Sequence, residues 1–462
     1  MARRGEQMHE HSTGGADARL TSLLRAALLG LLAAPGLAGA TGWFINQQSV
    51  PAIGRAGAGT VVDAHDPAAA YFNPAALVSP GISYATGTEL SLGMQVIAPR
   101  TSLRDLGSTA SGPATPGTVP YPGTGFDNPT DPTPVPNLFL VHRLPDGRTA
   151  LALGLTSPFG LSLDYSPQWF GRYDSTRVSL ETVNVTLSAA RRVGDTLSVG
   201  GGVDWQHARS DLQAALPDPL NPGGPTPATD GRTHLRGVGS GVGFHLGTSW
   251  APTAGLRIGA HYRSGVDISL GGTNTVQGLT GPLAGANGSL VATSRMRMPA
   301  MAGVGVAWDA ARRLTLLAQV DGYGWSRFGD LRVRFADGSP DAVRQSGYRD
   351  AIAVSVGAEW RRSEQLTLRA GLRREQTPTT DGFRDTTFPD GARTWLTAGA
   401  SMRVSGRSSI DLALKHAMFS DGPIDLNPTF YAGTPLATSI RVRGIASSQS
   451  VTTVGAAWRM RF

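Results

Sequence analysis

The chain ends in the stretch VTTVGAAWRMRF, residues 451–462. Within it the small or charged residues Gly455, Ala457, Arg459 and Arg461 alternate with larger or apolar ones, which are Val454, Ala456, Trp458, Met460 and Phe462. A period of two is typical of a β-strand with two different faces. A last strand that ends on an aromatic residue, with one face suited to lipid and the other to a polar lumen, indicates a barrel in an outer membrane.

The same alternation recurs along the chain in about fourteen segments, joined by seven long and six short connections in turn. An up-and-down barrel needs this rhythm, because its turns are tight on the periplasmic side and longer outside. We therefore predict an all-β fold, a transmembrane antiparallel up-and-down β-barrel over residues 81–462. The predicted strands are 81–99, 136–144, 148–157, 174–193, 195–211, 233–251, 255–271, 289–308, 312–335, 348–362, 364–375, 392–405, 407–419 and 449–462.

The charged residues are few, at 16% of the chain, and they give a formal net charge of +7. A basic side chain that faces lipid near mid-membrane costs about 2–4 kcal/mol. We therefore expect those in the strands to face the lumen or lie near the rims, namely Arg369, Arg373, Arg403, Lys415, Arg459 and Arg461. Lys415 is the only lysine of the chain. The arginines are scattered along the chain, singly or in pairs, rather than clustered, which argues against nucleic acid as a partner.

The start of the chain has the features of an export signal. Arg19 and Arg25 precede the apolar run 26–34, and the small residues 38–40 form a cleavage site. The run is too short for a membrane-spanning helix, which needs about 20 residues. We predict a signal peptide over residues 1–40, starting at Met1 or Met8.

Residues 41–80 do not have the pattern of a strand, because glycines, prolines and aspartates interrupt them. A barrel of about fourteen strands has a lumen wider than side chains alone can fill. We predict that residues 41–80 fold inside it as an N-terminal plug, or hatch. A periplasmic extension is the alternative.

Groups that could carry chemistry are sparse. The nine histidines show no metal-ligand spacing, the chain has no cysteine, and the pair His207 and Ser210 is weak support for a hydrolase. The glycine runs lie inside strands with no following helix, unlike a phosphate-binding loop. We predict no catalytic, cofactor-binding or metal site, no cofactor, and a protein that is not an enzyme.

Several short motifs occur in a fixed order. Ile53-Gly54-Arg55-Ala56 and Asn73-Pro74-Ala75 follow the signal peptide, and Thr156-Ser157-Pro158-Phe159-Gly160-Leu161 follows the third strand. Further motifs lie at 325–328, 348–351, 369–371, 378, 388–390 and 395–399. In this order they resemble the FadL/TodX family of outer-membrane transporters for long-chain fatty acids and hydrocarbons, over essentially the whole mature chain.

The resemblance implies positions for a hatch and for an inward kink that opens the barrel wall. The hatch residues would be Gly54, Arg55, Asn73, Pro74 and Ala75. The kink residues would be Ser157, Pro158, Phe159 and Gly160, for which an ordinary loop start is the alternative.

The resemblance also implies a ligand carboxylate at Arg344. A second basic position of the family falls on Ala214, which leaves room for a neutral or aromatic ligand. The loop side chains Leu161, Trp169 and Phe170 are further candidates for ligand contacts, with aromatic residues of the membrane interface as the alternative.

The function implied is passive transport of hydrophobic compounds, with long-chain fatty acids as the first candidate, capture by outer loops and lateral exit through the wall. The expected location is the outer membrane of a Gram-negative bacterium, as a monomer among membrane lipid and lipopolysaccharide. The alternatives are an aromatic-hydrocarbon channel of the same family, a general porin for hydrophilic solutes, a lipid-acting enzyme and a structural barrel.

Overall fold

The protein consists largely of β-strands. The structure is a computed structural model that describes residues 43–115 and 117–462. The predicted signal peptide, residues 1–40, lies outside the described residues. The strands are β1 (Gly87–Asp105), β2 (Thr109–Ser111), β3 (Thr118–Pro120), β4 (Phe126–Asp127), β5 (Thr133–Arg143), β6 (Thr149–Thr156), β7 (Gly160–Asp164), β8 (Arg177–Val193), β9 (Leu197–Leu216), β10 (Gly231–Thr253), β11 (Leu256–Arg263), β12 (Asp267–Gln277), β13 (Gly288–Arg297), β14 (Met301–Ala311), β15 (Leu314–Tyr323), β16 (Leu331–Phe335), β17 (Ala342–Arg344), β18 (Ala351–Arg361), β19 (Leu366–Glu375), β20 (Arg393–Arg403), β21 (Ser408–Phe419), β22 (Gly422–Leu426), β23 (Thr429–Phe430) and β24 (Thr438–Arg461).

Helical segments are short. They are α1 (Val50–Gly54), α2 (Ala69–Phe72) and the 3₁₀ helices Pro74–Val78, Gly281–Ala286, Trp325–Phe328 and Asp381–Phe383. Within 43–115 and 117–462, no helix has the length and apolar character that crossing a membrane requires.

The strands form a closed antiparallel barrel with 14 positions in its wall, which we call staves. Each stave is one strand or two segments in line: β1, β5, β6 with β7, β8, β9, β10, β11 with β12, β13 with β14, β15 with β16, β17 with β18, β19, β20, β21 with β22, and β24. The first and last staves pair from Glu89 with Arg461 to Asp105 with Gly444, which closes the ring. The predicted fold class and strand number are confirmed.

The two faces of the wall differ as the alternation predicts. Large apolar side chains point outward, as with Trp458 at 39% exposure and Phe462 at 64%. Between them, Arg459 turns inward and its Nε donates to Asp411 at 2.7 Å. Arg373 and Lys415 are buried on the inner face as well. Each avoids the cost of a charge facing lipid.

Three staves depart from the predicted continuous strands. The seventh is interrupted at 264–266, the eighth at 298–300 and the ninth at 324–330. The third stave, predicted to end at 157, resumes as β7 after a break at 157–159. The last strand begins at Thr438 rather than at the predicted 449, because its outer part continues the ladder by pairing with β22 and β1. Pairing with a long neighbouring strand extends a strand beyond the region where its own alternation of side chains is clear.

The N-terminal segment, residues 43–80, is almost wholly buried. Its α1 contacts β19, β20, β21, β24 and β1, and its 3₁₀ helix Pro74–Val78 contacts β6, β8, β9 and β10. Hydrogen bonds add β15 and β18, through Thr60 to Gln319 at 3.0 Å and Arg55 to Glu359 at 2.7 Å. The segment therefore touches inward-facing residues from staves around the whole ring.

Candidate functional site

The third stave is broken at Ser157, Pro158 and Phe159. On one side of the break Thr156 pairs with Asn184 of β8, and on the other Gly160 pairs with Glu181. Three residues therefore face only two residues of β8, which is the geometry of a β-bulge. The register shifts by one residue across it.

On the side of the third stave that faces β5, the break interrupts the ladder of backbone hydrogen bonds. The part of β5 next to it, residues 133–137, pairs with β1. The pairing of β5 with the third stave is confined to Leu138–Arg143 and 150–155. No ladder joins residues 133–137 to β7 in the part of the chain that the structure describes. The wall therefore has a gap in hydrogen bonding between β5 and β7.

The N-terminal segment supplies backbone partners to the break. The amide of Ile45 donates to the Pro158 carbonyl at 2.7 Å, and the amide of Gly160 donates to the Trp43 carbonyl at 3.2 Å. A buried backbone group without a partner costs about 1–3 kcal/mol. These two bonds offset that cost where the stave leaves the ladder.

Two side chains complete the same task. The amide of Phe159 donates to Oγ1 of Thr182 at 2.9 Å, and this hydroxyl donates to the Phe159 carbonyl at 2.6 Å. Nε2 of Gln48 donates to the Ser157 carbonyl at 3.3 Å. The pattern of the sequence marks Pro158 and Gly160 as strand breakers, but it gives no signal for Thr182 or Gln48.

A first cavity, which we call the loop cavity, lies among the outer ends of the staves and the loops. It has a volume of about 110 Å³. Its lining is mostly apolar and aromatic and includes Trp43, Leu161, Leu180, Leu235, Met296 and Phe388. The predicted contact Leu161 is therefore at a cavity surface.

Arg344 also lines the loop cavity, but its guanidinium is already paired. Nε donates to Asp385 at 2.9 Å, and Nη2 donates to Asp174. Burial raises the pKa of Asp174, although the charge of Arg344 acts in the opposite direction. The predicted contact of Arg344 with a ligand carboxylate stays a prediction.

Trp169 and Phe170, predicted as ligand contacts, lie in the outer loop between β7 and β8, and their contact with a ligand stays a prediction. Both are 0% exposed and belong to an apolar cluster of the outer loops, and neither lines a cavity described here. The Trp169 ring stacks on Tyr165 at 3.8 Å between centroids, and its Nε1 donates to the Ser175 carbonyl. This placement gives the two side chains a packing role in the loops.

A second cavity, which we call the wall cavity, lies beside the gap. It has a volume of about 410 Å³ and is lined on the two sides of the gap by Val135 of β5 and Gly160 of β7. It shares lining residues with the loop cavity, namely Trp43, Leu161, Ser179, Leu180 and Phe388. The two cavities are therefore neighbours with a common wall.

The residues predicted to form a hatch are packed against the wall. Asn73 is buried, and its Nδ2 donates to the carbonyls of Val61 at 2.6 Å and Thr248 at 2.8 Å. Its Oδ1 accepts from the amide of Ala75 at 3.1 Å and so caps the 3₁₀ helix that starts at Pro74. One side chain thus links two parts of the N-terminal segment to β10.

Gly54 and Arg55 make a second attachment. A Cβ placed on Gly399 of β20 would lie 2.8 Å from Cα of Gly54, so the two backbones approach too closely for side chains. Arg55 pairs with Asp63 within the segment, and its Nη1 lies 2.7 Å from Glu359 of β18. The segment is held by close backbone contact and by a buried ion pair.

A buried trio has the residue types of a hydrolytic triad, which the sequence pattern missed. Ser188 Oγ lies 2.9 Å from His245 Nε2, and His245 Nδ1 lies 2.7 Å from Asp204. However, Oγ also donates to the Ala70 carbonyl at 2.8 Å, and none of the three lines the loop or wall cavity. Arg263 pairs with Asp204 as well. The trio is a polar network that attaches α2 to the wall.

A model of the outer membrane protein transport protein family (OMPP1/FadL/TodX) matches residues 31–462. The chain belongs to the FadL/TodX family. Members of the FadL/TodX family are outer-membrane transporters of fatty acids and hydrophobic aromatic compounds, and they are transport channels, not enzymes. The predicted family, the outer-membrane location and transport of hydrophobic compounds are confirmed.

Two relatives from the FadL/TodX family show the level of sequence identity. The 47 kDa outer membrane protein of Pasteurella multocida (strain Pm70) is 25% identical over 417 residues, which cover 86% of this chain and 91% of the relative. The long-chain fatty acid transport protein of Escherichia coli O6:H1 is 25% identical over 312 residues, or 61% of this chain and 69% of the relative.

Two solved structures share the FadL/TodX fold. A Pseudomonas aeruginosa FadL homologue superposes with a TM-score of 0.77 at 23% identity, covering 91% of this chain and 100% of that one. The Ralstonia pickettii toluene transporter TbuX gives 0.59 at 21% identity, covering 92% and 99%. At these identities the likeness carries the fold alone.

Proposed function

We propose that the protein moves long-chain fatty acids and similar apolar compounds passively into the outer membrane. The ligand is captured among the outer loops, held in the loop cavity, passed to the wall cavity and released sideways between β5 and β7. The observation that carries this proposal is the break at 157–159, because it removes ladder pairing where the larger cavity reaches the wall.

The energetics favour such a route for a long apolar solute. Burial of each methylene of the ligand is favourable by about 0.8 kcal/mol. A long alkyl chain would therefore not enter a water-filled channel readily. The lining shared by the two cavities is mostly apolar, with Trp43, Leu161 and Phe388 among its members. Lateral release delivers the ligand to lipid without exposing it to water.

The N-terminal segment acts in this proposal as the hatch that blocks an aqueous path. Its support is the burial of residues 43–80 and their attachments through Asn73, Gly54 and Arg55. A general porin would need an open lumen. Association with lipopolysaccharide and a monomeric state stay predictions.

The test of lateral exit is deletion of Pro158. Removing one residue leaves two residues opposite two on β8, which restores a regular register across the break. Uptake of radiolabelled oleate by cells that carry the variant should fall to the level of cells without the protein. Substitution of Pro158 by alanine keeps the bulge and is the matched control, with heat-modifiable gel mobility as the check on folding. A folded deletion variant with undiminished uptake would refute lateral exit.

The pairing of Arg344 favours a second candidate, uptake of neutral hydrocarbons. Because Asp174 and Asp385 already satisfy the guanidinium, a carboxylate gains little from it. Arg344→Ala should therefore lower the affinities for oleate and for oleyl alcohol to a similar degree, severalfold, because loss of its ion pairs loosens the loops. Binding to the purified protein checks this, and a selective loss of oleate would restore the carboxylate role of Arg344.

A further inference from the structure

The only lysine of the chain faces the wall cavity. Lys415 of β21 is 7% exposed, and its Nζ lies 4.5 Å from the centroid of the Trp395 ring. Its hydrogen bond goes to a neutral group, Oε1 of Gln47, at 3.2 Å. Over residues 43–115 and 117–462 the amine takes part in no ion pair within 4.0 Å. A chain in which arginine supplies every other Lys/Arg position holds this one compact amine without an ion-pair partner at the wall cavity.

The neighbouring acidic group is occupied by arginines. Glu375 accepts from Arg393 at 2.7 Å and from Arg373 at 3.1 Å. Asp390 lines the cavity too, and burial raises its pKa to about 6, with its Oδ2 accepting from Thr377. Lys415 is therefore left with an amide where the arginines have carboxylates.

Two further donors at the same cavity have no acceptor among the described residues. They are Nε1 of Trp395, a side chain that is 2% exposed, and Nε2 of Gln449. A buried donor without a partner costs about 1–3 kcal/mol. Among the described residues, the other buried oxygens of the lining without a partner are Oδ1 of Asp390 and the hydroxyls of Thr101 and Thr130, and a hydroxyl can donate as well as accept. The polar part of the cavity is thus rich in donors.

We propose that the wall cavity is a ligand site that reads a carboxylate at Lys415. The head group of a monocarboxylic amphiphile accepts from Nζ of Lys415 and from the free donor of Trp395 or Gln449. Its apolar tail lies along Leu161 and Phe159 towards the gap. The volume of about 410 Å³ lies within the ~300–1,000 Å³ usual for small-molecule sites.

This assignment rests on the proposed function and refines it, because it moves carboxylate recognition from Arg344 to Lys415. Neutral compounds would pass the same cavity without using the amine. The protein would then bind both classes and hold the carboxylates longer beside the exit.

The test compares oleate with oleyl alcohol on the purified, detergent-solubilised protein. A hydrogen bond to a charged group contributes enough for about a tenfold or larger change in affinity. Lys415→Met should lower the affinity for oleate at least tenfold and change the affinity for oleyl alcohol by no more than about twofold. Lys415→Arg, which keeps the charge, should stay within about threefold for both. Arg374→Met removes an exposed cation from the outer face and is the matched control.

Two outcomes separate the proposals. Equal loss of both ligands in Lys415→Met, or no loss of oleate, would overturn the carboxylate site and leave transport intact. If the unaltered protein binds neither ligand, the proposed function itself fails.

A second measurement does not depend on a folded variant. The N-hydroxysuccinimide ester of oleic acid should acylate Lys415 in the unaltered protein, as read by peptide mass spectrometry. At equal concentration, free oleate should suppress this adduct at least fivefold more than oleyl alcohol, because the alcohol shares the cavity without pairing with the amine. Equal suppression by the two would also overturn the carboxylate site.

Discussion

Glycines at the inner face of the wall determine where the N-terminal segment can attach. A Cβ on Gly247 would collide with Oδ1 of Asn73, and one on Gly200 would lie 2.7 Å from the amide nitrogen of Ala75. These two glycines are cross-strand partners on β10 and β9. Glycine at both positions lets the Asn-Pro-Ala turn rest directly on the wall backbone.

At this scale we predict that Gly247→Ala destabilises the protein by about 1–3 kcal/mol, because the added methyl overpacks a buried contact. The midpoint temperature of unfolding in detergent should fall. Gly271→Ala is the control, since a Cβ there meets nothing within 4 Å. A variant at Gly247 that unfolds at the same temperature as the Gly271 control would contradict the contact.

Single residues were predictable from the sequence where one physical cost decides their position. The cost of a charge facing lipid placed Arg373, Arg459 and Lys415 on the inner face. The same reasoning could not place Trp169, because loop composition does not tell which aromatic side chains pack against other loops. It could not find the partners of Arg344 either, since Asp174 and Asp385 come from two separate loops.

Elements were predictable as far as alternation and turns define them, so the staves appear in the predicted order. The third stave shows where this stops. Pro158 and Gly160 are visible as strand breakers, but the slip of one residue is a property of the pairing with β8. No feature within the stave itself contains that information. The early start of β24 at Thr438 has the same origin, because its partners extend it.

For the whole molecule, the position of the N-terminal segment predicts electrical behaviour. Purified protein in a planar lipid bilayer should be nearly silent, because the proposed hatch, residues 43–80, contacts staves around the ring and would block an aqueous path. Deleting residues 43–80 should produce steady, ohmic conductance, provided that the variant still shows heat-modifiable mobility. Comparable conductance in the intact protein would favour a general porin.

The pairing of Trp43 and Ile45 with the broken stave has a consequence for biogenesis. β1 and β24 come from opposite ends of the barrel sequence, so the hydrogen bonds between them can form only after β24 has been synthesised. Residues 43–45 should be in place at that moment, because they supply backbone partners to the broken stave. We therefore expect the barrel to close late, with residues 43–45 acting as an internal template for the strands that assemble around them.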